Sequence, residues 1–276
     1  MQDLKAYDIK KYYSSKISEG LSPNTVIKHH GVIRTSLQYA VKSKLIKENV
    51  ADLADKPKKQ KFIGGYYNQD ELNLLFEKAK DSSIETVVLL TAYYGLRRSE
   101  VLGLKWENID FNNNIISICH KVVRKFDDDG KLTFSQEDEL KSKSSYRMLP
   151  LDKDISNHLL TLKRKQTVNM SLFGDCYCRD FIDYICVDAM GGLLKPDYIT
   201  HKFKKVLKQN NLRKIRFHDL RHSCATLLLA LGFDMKSIQE WLGHANLQTT
   251  ANIYAHVDFS KKNEMLDTVS AKLKIC

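Results

Sequence analysis

The sequence predicts a mainly α-helical protein with one small β-sheet, split into a short basic N-terminal part and a larger C-terminal part. Three observations carry this. Apolar residues recur at helical spacing in several segments that open on capping residues. One block above all, 115–150, has the β-branched content and turn signals of strands. Between the two parts, segment 54–65 (ADKPKKQKFIGG) combines Pro, Gly and a lysine run with little apolar content, which is linker chemistry. The expected division is therefore 1–56, a linker over 57–65, and 66–276.

Composition narrows the class. A chain of 276 residues, 43% hydrophobic, has enough material for a substantial core. Its net charge of +11 favours a polyanionic partner, with nucleic acid first. The excess is concentrated early: residues 1–61 hold 13 Lys/Arg against 6 Asp/Glu. No run is long and apolar enough to span a membrane and no signal peptide opens the chain, so a cytoplasmic protein is expected. The six cysteines are scattered. Cys176-x-Cys178 with Cys186 lacks the C-x-x-C spacing and paired histidines of a zinc site, so neither metal nor cofactor is expected.

In chain order, a helix is expected over 4–18, stopping at Gly20. A second starts with Ser22 as cap and Pro23 in the first turn and runs to about Lys42. Its apolar face is Val26, Val32, Ile33, Leu37, Ala40 and Val41, which leaves Lys28, His29, His30 and Arg34 to meet phosphates or solvent. Asn68 caps a helix running to Ala79, and an apolar helix over 86–94 turns at Gly95. Arg97 and Glu100 follow that turn. Strands are expected over 115–123, 131–134 and 146–149, a helix over 155–165, a strand-like stretch over 181–187 with a turn at Gly191-Gly192, and a helix over 198–208. No function is legible in the acidic loop of the 115–150 block.

The densest stretch is 218–254. His218 and Arg221, three apart, share one helical face. An apolar helix then stops at Leu231-Gly232. A short helix over 237–242 ends at Gly243, with His244 just beyond, and 246–250 is cap chemistry for a last helix bearing Tyr254. Two histidines, an arginine and a tyrosine thus come from three short helices.

Taken together, these residues resemble the tyrosine recombinases of the phage-integrase family. The resemblance rests on His218-Asp219-Leu220-Arg221, Leu242-Gly243-His244, Thr249-Thr250 and Ile253-Tyr254-Ala255-His256-Val257. It rests also on Gly95-Leu96-Arg97-Arg98-Ser99-Glu100-Val101-Leu102. It implies an integrase-type catalytic domain preceded by a partial helical core-binding domain, one or more of whose helices are missing. Leu21-Ser22-Pro23-Asn24-Thr25 and Tyr39-Ala40-Val41-Lys42 resemble the end of that domain.

The resemblance also implies roles. Arg97, Arg221, His218 and His244 would activate a scissile phosphate, and Tyr254 would attack it. Glu100 would hold Arg97 or its loop, while Arg98 would be structural. Lys141 would protonate the leaving 5′-oxygen, with Lys143 as the alternative in the segment 140–147 that resembles the family's lysine-bearing hairpin. The implied reaction is DNA cleavage and rejoining through a 3′-phosphotyrosyl link and a Holliday junction, in an integrase of a phage or integrative mobile element. The implied partners are double-stranded DNA attachment sites, three further copies of the chain in a tetramer on DNA, and accessory DNA-bending or excision factors. The residue types suit this chemistry. Guanidinium stays charged and bonds phosphate through two N–H groups, and a tyrosine needs cationic surroundings to react as phenolate. Two rivals remain open: strand relaxation as by a type IB topoisomerase, and a non-catalytic DNA-binding module.

Overall fold

The structure is a computed structural model and describes residues 4–60, 64–126, 132–137 and 146–244. The chain forms two compact units, Met1–Ile63 and Gly64–Cys276.

The first unit is built on α1 (Ala6–Ser18) and α2 (Pro23–Lys42). The Ser22 hydroxyl accepts from the Thr25 N–H at 3.2 Å, which is the expected cap. Ile9, Tyr13, Val26 and Leu37 are buried together with Ala51 and Ala54. The last two come from a short 3₁₀ turn, Val50–Leu53, and the residue after it, which the sequence did not announce. The expected α2 face needs one correction. Val32 is exposed, and the histidine at position 30 is buried among the core residues, its Nδ1 2.7 Å from the Tyr13 hydroxyl. Helical geometry accounts for this, because alternating steps of four and three from Val26 reach His30, Ile33, Leu37 and Ala40 along one face, while position 32 lies about 120° round the helix from Val26. Of the other basic residues named on α2, Arg34 pairs with Asp52 at 2.5 Å, His29 meets Tyr12 at 3.1 Å, and Lys28 is exposed.

The first unit also runs further than 56. Asp55 pairs with Lys10 at 2.6 Å, and the Asn24 amide exchanges two hydrogen bonds with the Gln60 backbone, at 2.7 and 3.0 Å. A polar segment is thereby tied down without an apolar signal to betray it.

The second unit opens with α3 (Gln69–Ala79), capped by reciprocal 2.9 Å bonds between Asn68 and Glu71. Next is α4 (Glu85–Tyr94), whose Val87, Val88, Leu90, Ala92 and Tyr94 are all buried. A helix apolar on nearly every side belongs at the centre, and α4 packs against both α3 and the later helices. After Gly95 comes α5 (Arg98–Leu102). Strands β1 (Ile109–Asp110), β2 (Ile115–Ile118) and β5 (Arg147–Pro150) form an antiparallel sheet in the order β1-β2-β5, while β3 (Lys121–Phe126) and β4 (Leu132–Glu137) pair as a separate hairpin.

The expected single strand over 115–123 is therefore broken at Cys119-His120, where the chain passes between the two sheets. Gly103 explains the position of the break. A Cβ there would lie 2.6 Å from the Lys121 Cα, so only glycine lets the end of α5 press against the start of β3. The stretch 181–187 is likewise not a strand. It makes only single bridges, Lys105 to Tyr184 and Val187 to Leu193, because its neighbours are short turns and not another extended segment. Helices α6 (Lys153–Phe173), α7 (Pro196–Gln209), α8 (Asp219–Ala230) and α9 (Met235–Leu242) complete the described unit. Helix α6 outruns its expected end by two turns. Overall the element types match the helix-dominated class with a small antiparallel sheet.

Candidate active site

Four helix ends and one strand build the site. Helix α4 stops at Gly95, in the left-handed conformation (φ 62°). A Cβ at Gly95 would lie 2.2 Å from the Leu242 side chain, so the end of α4 and the end of α9 are in direct contact. Two residues later Arg97 precedes α5. Its backbone N–H donates to Glu100 at 2.9 Å and its Nη1 to the other carboxylate oxygen at 2.5 Å. At the start of α8, the Asp219 carboxylate accepts from the Arg216 backbone at 2.8 Å and from its Nη2 at 2.6 Å, fixing the turn that carries His218. Arg221, in the first turn of α8, is buried.

The end of α9 ties these pieces together. A helix C-terminus leaves carbonyls without partners and carries partial negative charge. Here three consecutive carbonyls each receive a different guanidinium. Arg147 Nε donates to Trp241 O at 2.8 Å, Arg221 Nη2 to Leu242 O at 2.7 Å, and Arg97 Nη2 to Gly243 O at 2.9 Å. Arg221 also donates to Gly95 O at 2.5 Å. Glu100 sits among the same three cations, with oxygens 2.5 Å from Arg97, 3.1 Å from Arg147 and 4.0 Å from Arg221. Gly243 ends α9 in the left-handed conformation (φ 66°), and His244 follows, nearly buried, its backbone N–H on Gln239 O and its own carbonyl accepting from the Gln239 amide.

One carboxylate among three guanidiniums leaves a strongly positive site. Burial works to raise the Glu100 carboxyl, but Arg147 and Arg97 outweigh it and hold it below the ordinary carboxylate range. Loss of hydration pushes Arg221 down to about 9, with repulsion from Arg97 adding to it. His244 is pushed down to about 3, first by burial and then by Arg221 and Arg97. His218 falls to about 4 through loss of hydration, the neighbouring His222, and the cations of Arg221 and Arg216. Both imidazoles are neutral at neutral pH and can each donate one N–H or accept one proton. The most open of the three guanidiniums is Arg97, whose side chain is 34% exposed against 6% for Arg147 and 3% for Arg221. It borders a cleft of ≈ 590 Å³ lined also by Arg98, Ser99, Lys204, Arg216 and His218. The fixed positive charge of Arg97 therefore faces the cleft.

Of the residues singled out from the sequence, Arg97, His218, Arg221 and His244 come together here, and Glu100 does hold Arg97. Arg98, in the wall of the same cleft, is tied to the start of α7, donating to Pro196 O and Thr200 Oγ1. Lys141, Lys143 and Tyr254 lie outside the described residues. Two residues escaped the sequence reading. His222 places its ring 5.3 Å from that of His218, edge to face. Arg147 closes the segment searched for a lysine, and nothing in its local pattern says that it reaches Glu100. Among the described residues no group of His, Cys, Asp or Glu is arranged to hold a metal ion, and no helix is long and apolar enough to cross a membrane.

Comparison with known proteins gives a consistent result. The model of the phage integrase family matches residues 66–261. A tyrosine recombinase XerC-like protein of Caldanaerobacter subterraneus subsp. tengcongensis is 26% identical over 97% of this chain and 71% of its own. The ICEBs1 integrase of Bacillus subtilis is 32% identical over 66% of this chain and 46% of its own. Among solved structures, the Tn1549 transposon integrase in complex with a circular intermediate DNA has a TM-score of 0.78 at 19% identity, over 98% of this chain and 86% of that one. A lambda integrase dimer bound to a COC′ core site has a TM-score of 0.66 at 16% identity, over 92% of this chain and 80% of that one. With the family match spanning most of the chain and the same fold recurring in these structures, the chain belongs to the phage integrase family of tyrosine recombinases, enzymes that cleave and rejoin DNA strands.

Proposed function

We propose that the protein is a site-specific DNA recombinase of an integrative element or phage, with Arg97, Arg221, His218 and His244 acting on the scissile phosphate and Tyr254 as nucleophile. The observation that carries this reading is the fixed set of guanidiniums at the end of α9, which places Arg97 on the cleft and His244 immediately beyond. Charge builds on the non-bridging oxygens as the phosphorus is attacked, and preorganised donors stabilise it without reorganising. The Tyr254 hydroxyl passes its proton to a neutral imidazole of the site, His218 or His244, as its oxygen bonds to phosphorus. The bond from phosphorus to the 5′-oxygen breaks, and Lys141 gives that oxygen a proton. The product is a 3′-phosphotyrosyl ester and a free 5′-hydroxyl. The same hydroxyl on a second duplex reverses the step and exchanges strands through a Holliday junction. One phosphoester replaces another at every stage, so no high-energy cofactor is consumed.

The partners in this reading are duplex attachment sites and three further copies of the chain in a synaptic tetramer, with accessory DNA-bending or excision factors, all in the cytoplasm with the DNA. The first unit acts as a partial core-binding domain and the second as the catalytic domain.

The test is incubation with a nicked suicide duplex carrying an attachment site. Wild type is expected to form a denaturant-stable protein–DNA adduct, and Tyr254→Phe to bind the duplex without forming one. An adduct that persists in Tyr254→Phe removes that residue from its role. Relaxation of single duplexes without exchange between paired sites would favour topoisomerase action.

A further inference from the structure

The Glu100 carboxylate has two close partners, and only one of them faces the cleft. Arg97 is partly open and is the group that meets the phosphate in the reading above. Arg147 is buried, and its guanidinium is committed on two sides, Nη2 to Glu100 at 3.1 Å and Nε to Trp241 O at 2.8 Å. It stands at the first position of β5, where it pairs with Ile118 of β2, so its backbone is fixed by the sheet. One side chain thereby joins three elements: β5, the carboxylate of α5 and the end of α9.

We infer that Arg147 is a positioning residue for strand cleavage, acting through Glu100 and the end of α9 to hold Arg97 and His244 in their working places.

The physical argument concerns how one negative charge is shared. With Arg147 in place, Glu100 needs only one bond from Arg97 Nη1, and Arg97 keeps its exposed edge for an anion. Without Arg147, a buried carboxylate loses a partner that it has no water to replace. It then draws on Arg97 and on Arg221, which lies 4.0 Å away, and weakens the field that both direct at the cleft. Among the described residues, the charged groups closest to this carboxylate are Arg97 before α5, Arg147 on β5 and Arg221 on α8. The Cys224 thiol on α8 couples to the last two. The second half of the argument is geometric. Trp241 O is the first of the three carbonyls that fix the turn leading into His244, and Arg147 alone among the three arginines approaches it from the sheet. Sequence adds a third link, since Lys141 precedes Arg147 by only six residues. This inference rests on the proposed function.

Arg147→Met, Arg147→Lys and the double variant Arg147→Met/Glu100→Gln test it beside wild type. Single-turnover adduct formation, duplex binding and melting temperature between pH 7 and pH 4 are read for each. Arg147→Met is expected to slow adduct formation by roughly 100-fold while duplex binding changes by less than about 3-fold. Its acid limb should move to higher pH, because Glu100 without Arg147 accepts a proton more readily. Removing the stranded carboxylate in the double variant should recover about ten-fold or more of the rate and abolish the shift. Arg147→Lys, which keeps charge without the two-sided fork, should fall between. If the double variant is as slow as Arg147→Met and its acid limb is no different, or if binding and melting temperature fall in proportion to rate in every variant, Arg147 is only structural. An Arg147→Met protein too unstable to assay leaves Arg147→Lys to decide: a wild-type rate and pH profile there would overturn the inference. No adduct with wild type would instead strike the proposed function itself, and the shift in acid unfolding would still report on the pairing of Arg147 with Glu100.

Discussion

Arg97 and Gly243 meet across 146 residues of chain, the guanidinium Nη2 donating 2.9 Å to the glycine carbonyl. The bond joins the start of α5 to the residue that ends α9, so the arginine on the cleft and the backbone leading into His244 are set by one contact. An anion bound at the cleft would have to share Arg97 with that carbonyl. Arg97→Lys keeps the charge but cannot serve Glu100, Gly243 and a phosphate at once. The variant is expected to form adduct about 100-fold more slowly, the scale of losing one preorganised donor, with melting temperature nearly unchanged. A wild-type single-turnover rate would show that Arg97 supplies charge and not geometry.

Gly95 offers a test of the contact between the ends of α4 and α9. Its backbone is left-handed, its carbonyl accepts from Arg221, and a Cβ would collide with Leu242. Gly95→Ala should cost ~1–2 kcal/mol for the backbone conformation alone. Crowding of Leu242 should add ~1–3 kcal/mol. Urea unfolding measures the sum, and an unfolding midpoint equal to wild type would mean that this contact is looser than the structure has it.

Acid sensitivity follows from His244. An ordinary histidine takes up its proton near pH 6.5, whereas His244 in the folded protein does so only at about 3. Between these values the unfolded chain binds a proton that the folded chain refuses. Stability is therefore complete above about pH 6.5 and declines as pH falls through the window, by at most ~1.4 kcal/mol per unit. His218 and His222 act in the same direction. Melting temperature should fall between pH 7 and pH 5, less steeply in His244→Gln. The Glu100 contribution lies lower, because its carboxyl is held below the ordinary range. An equal slope in wild type and His244→Gln would place the acid sensitivity elsewhere.

The general acid is open to a chemical test. A departing 5′-alkoxide is strongly basic and needs a proton, whereas a 5′-thiolate does not. Lys141→Ala is expected to cleave ordinary DNA slowly and to recover on a substrate with sulfur at the bridging 5′ position, while Lys143→Ala shows a small defect that sulfur leaves unrepaired. Rescue confined to Lys143→Ala would exchange the two assignments.

The sequence by itself determined most of the element types and named four of the groups that come together at the site. Caps such as Ser22 and Asn68, and stops such as Gly95 and Gly243, are local chemistry, and a few residues suffice to read them. Arg97, His218, Arg221 and His244 were legible through the resemblance of their motifs, in order and spacing, to those of the phage-integrase family. Tertiary structure alone decided how the groups are held. The break after Ile118 depends on the approach of Gly103 to Lys121, and the burial of His30 depends on what faces α2. The role of Arg147 depends on Glu100, 47 residues away, and on Trp241, 94 residues away. Local pattern records what a residue can do within a turn or two of helix. Which carboxylate and which helix end a buried guanidinium reaches is settled only when distant segments pack, because the cost of an unpaired buried charge is met by whatever partner the fold brings within about 3 Å.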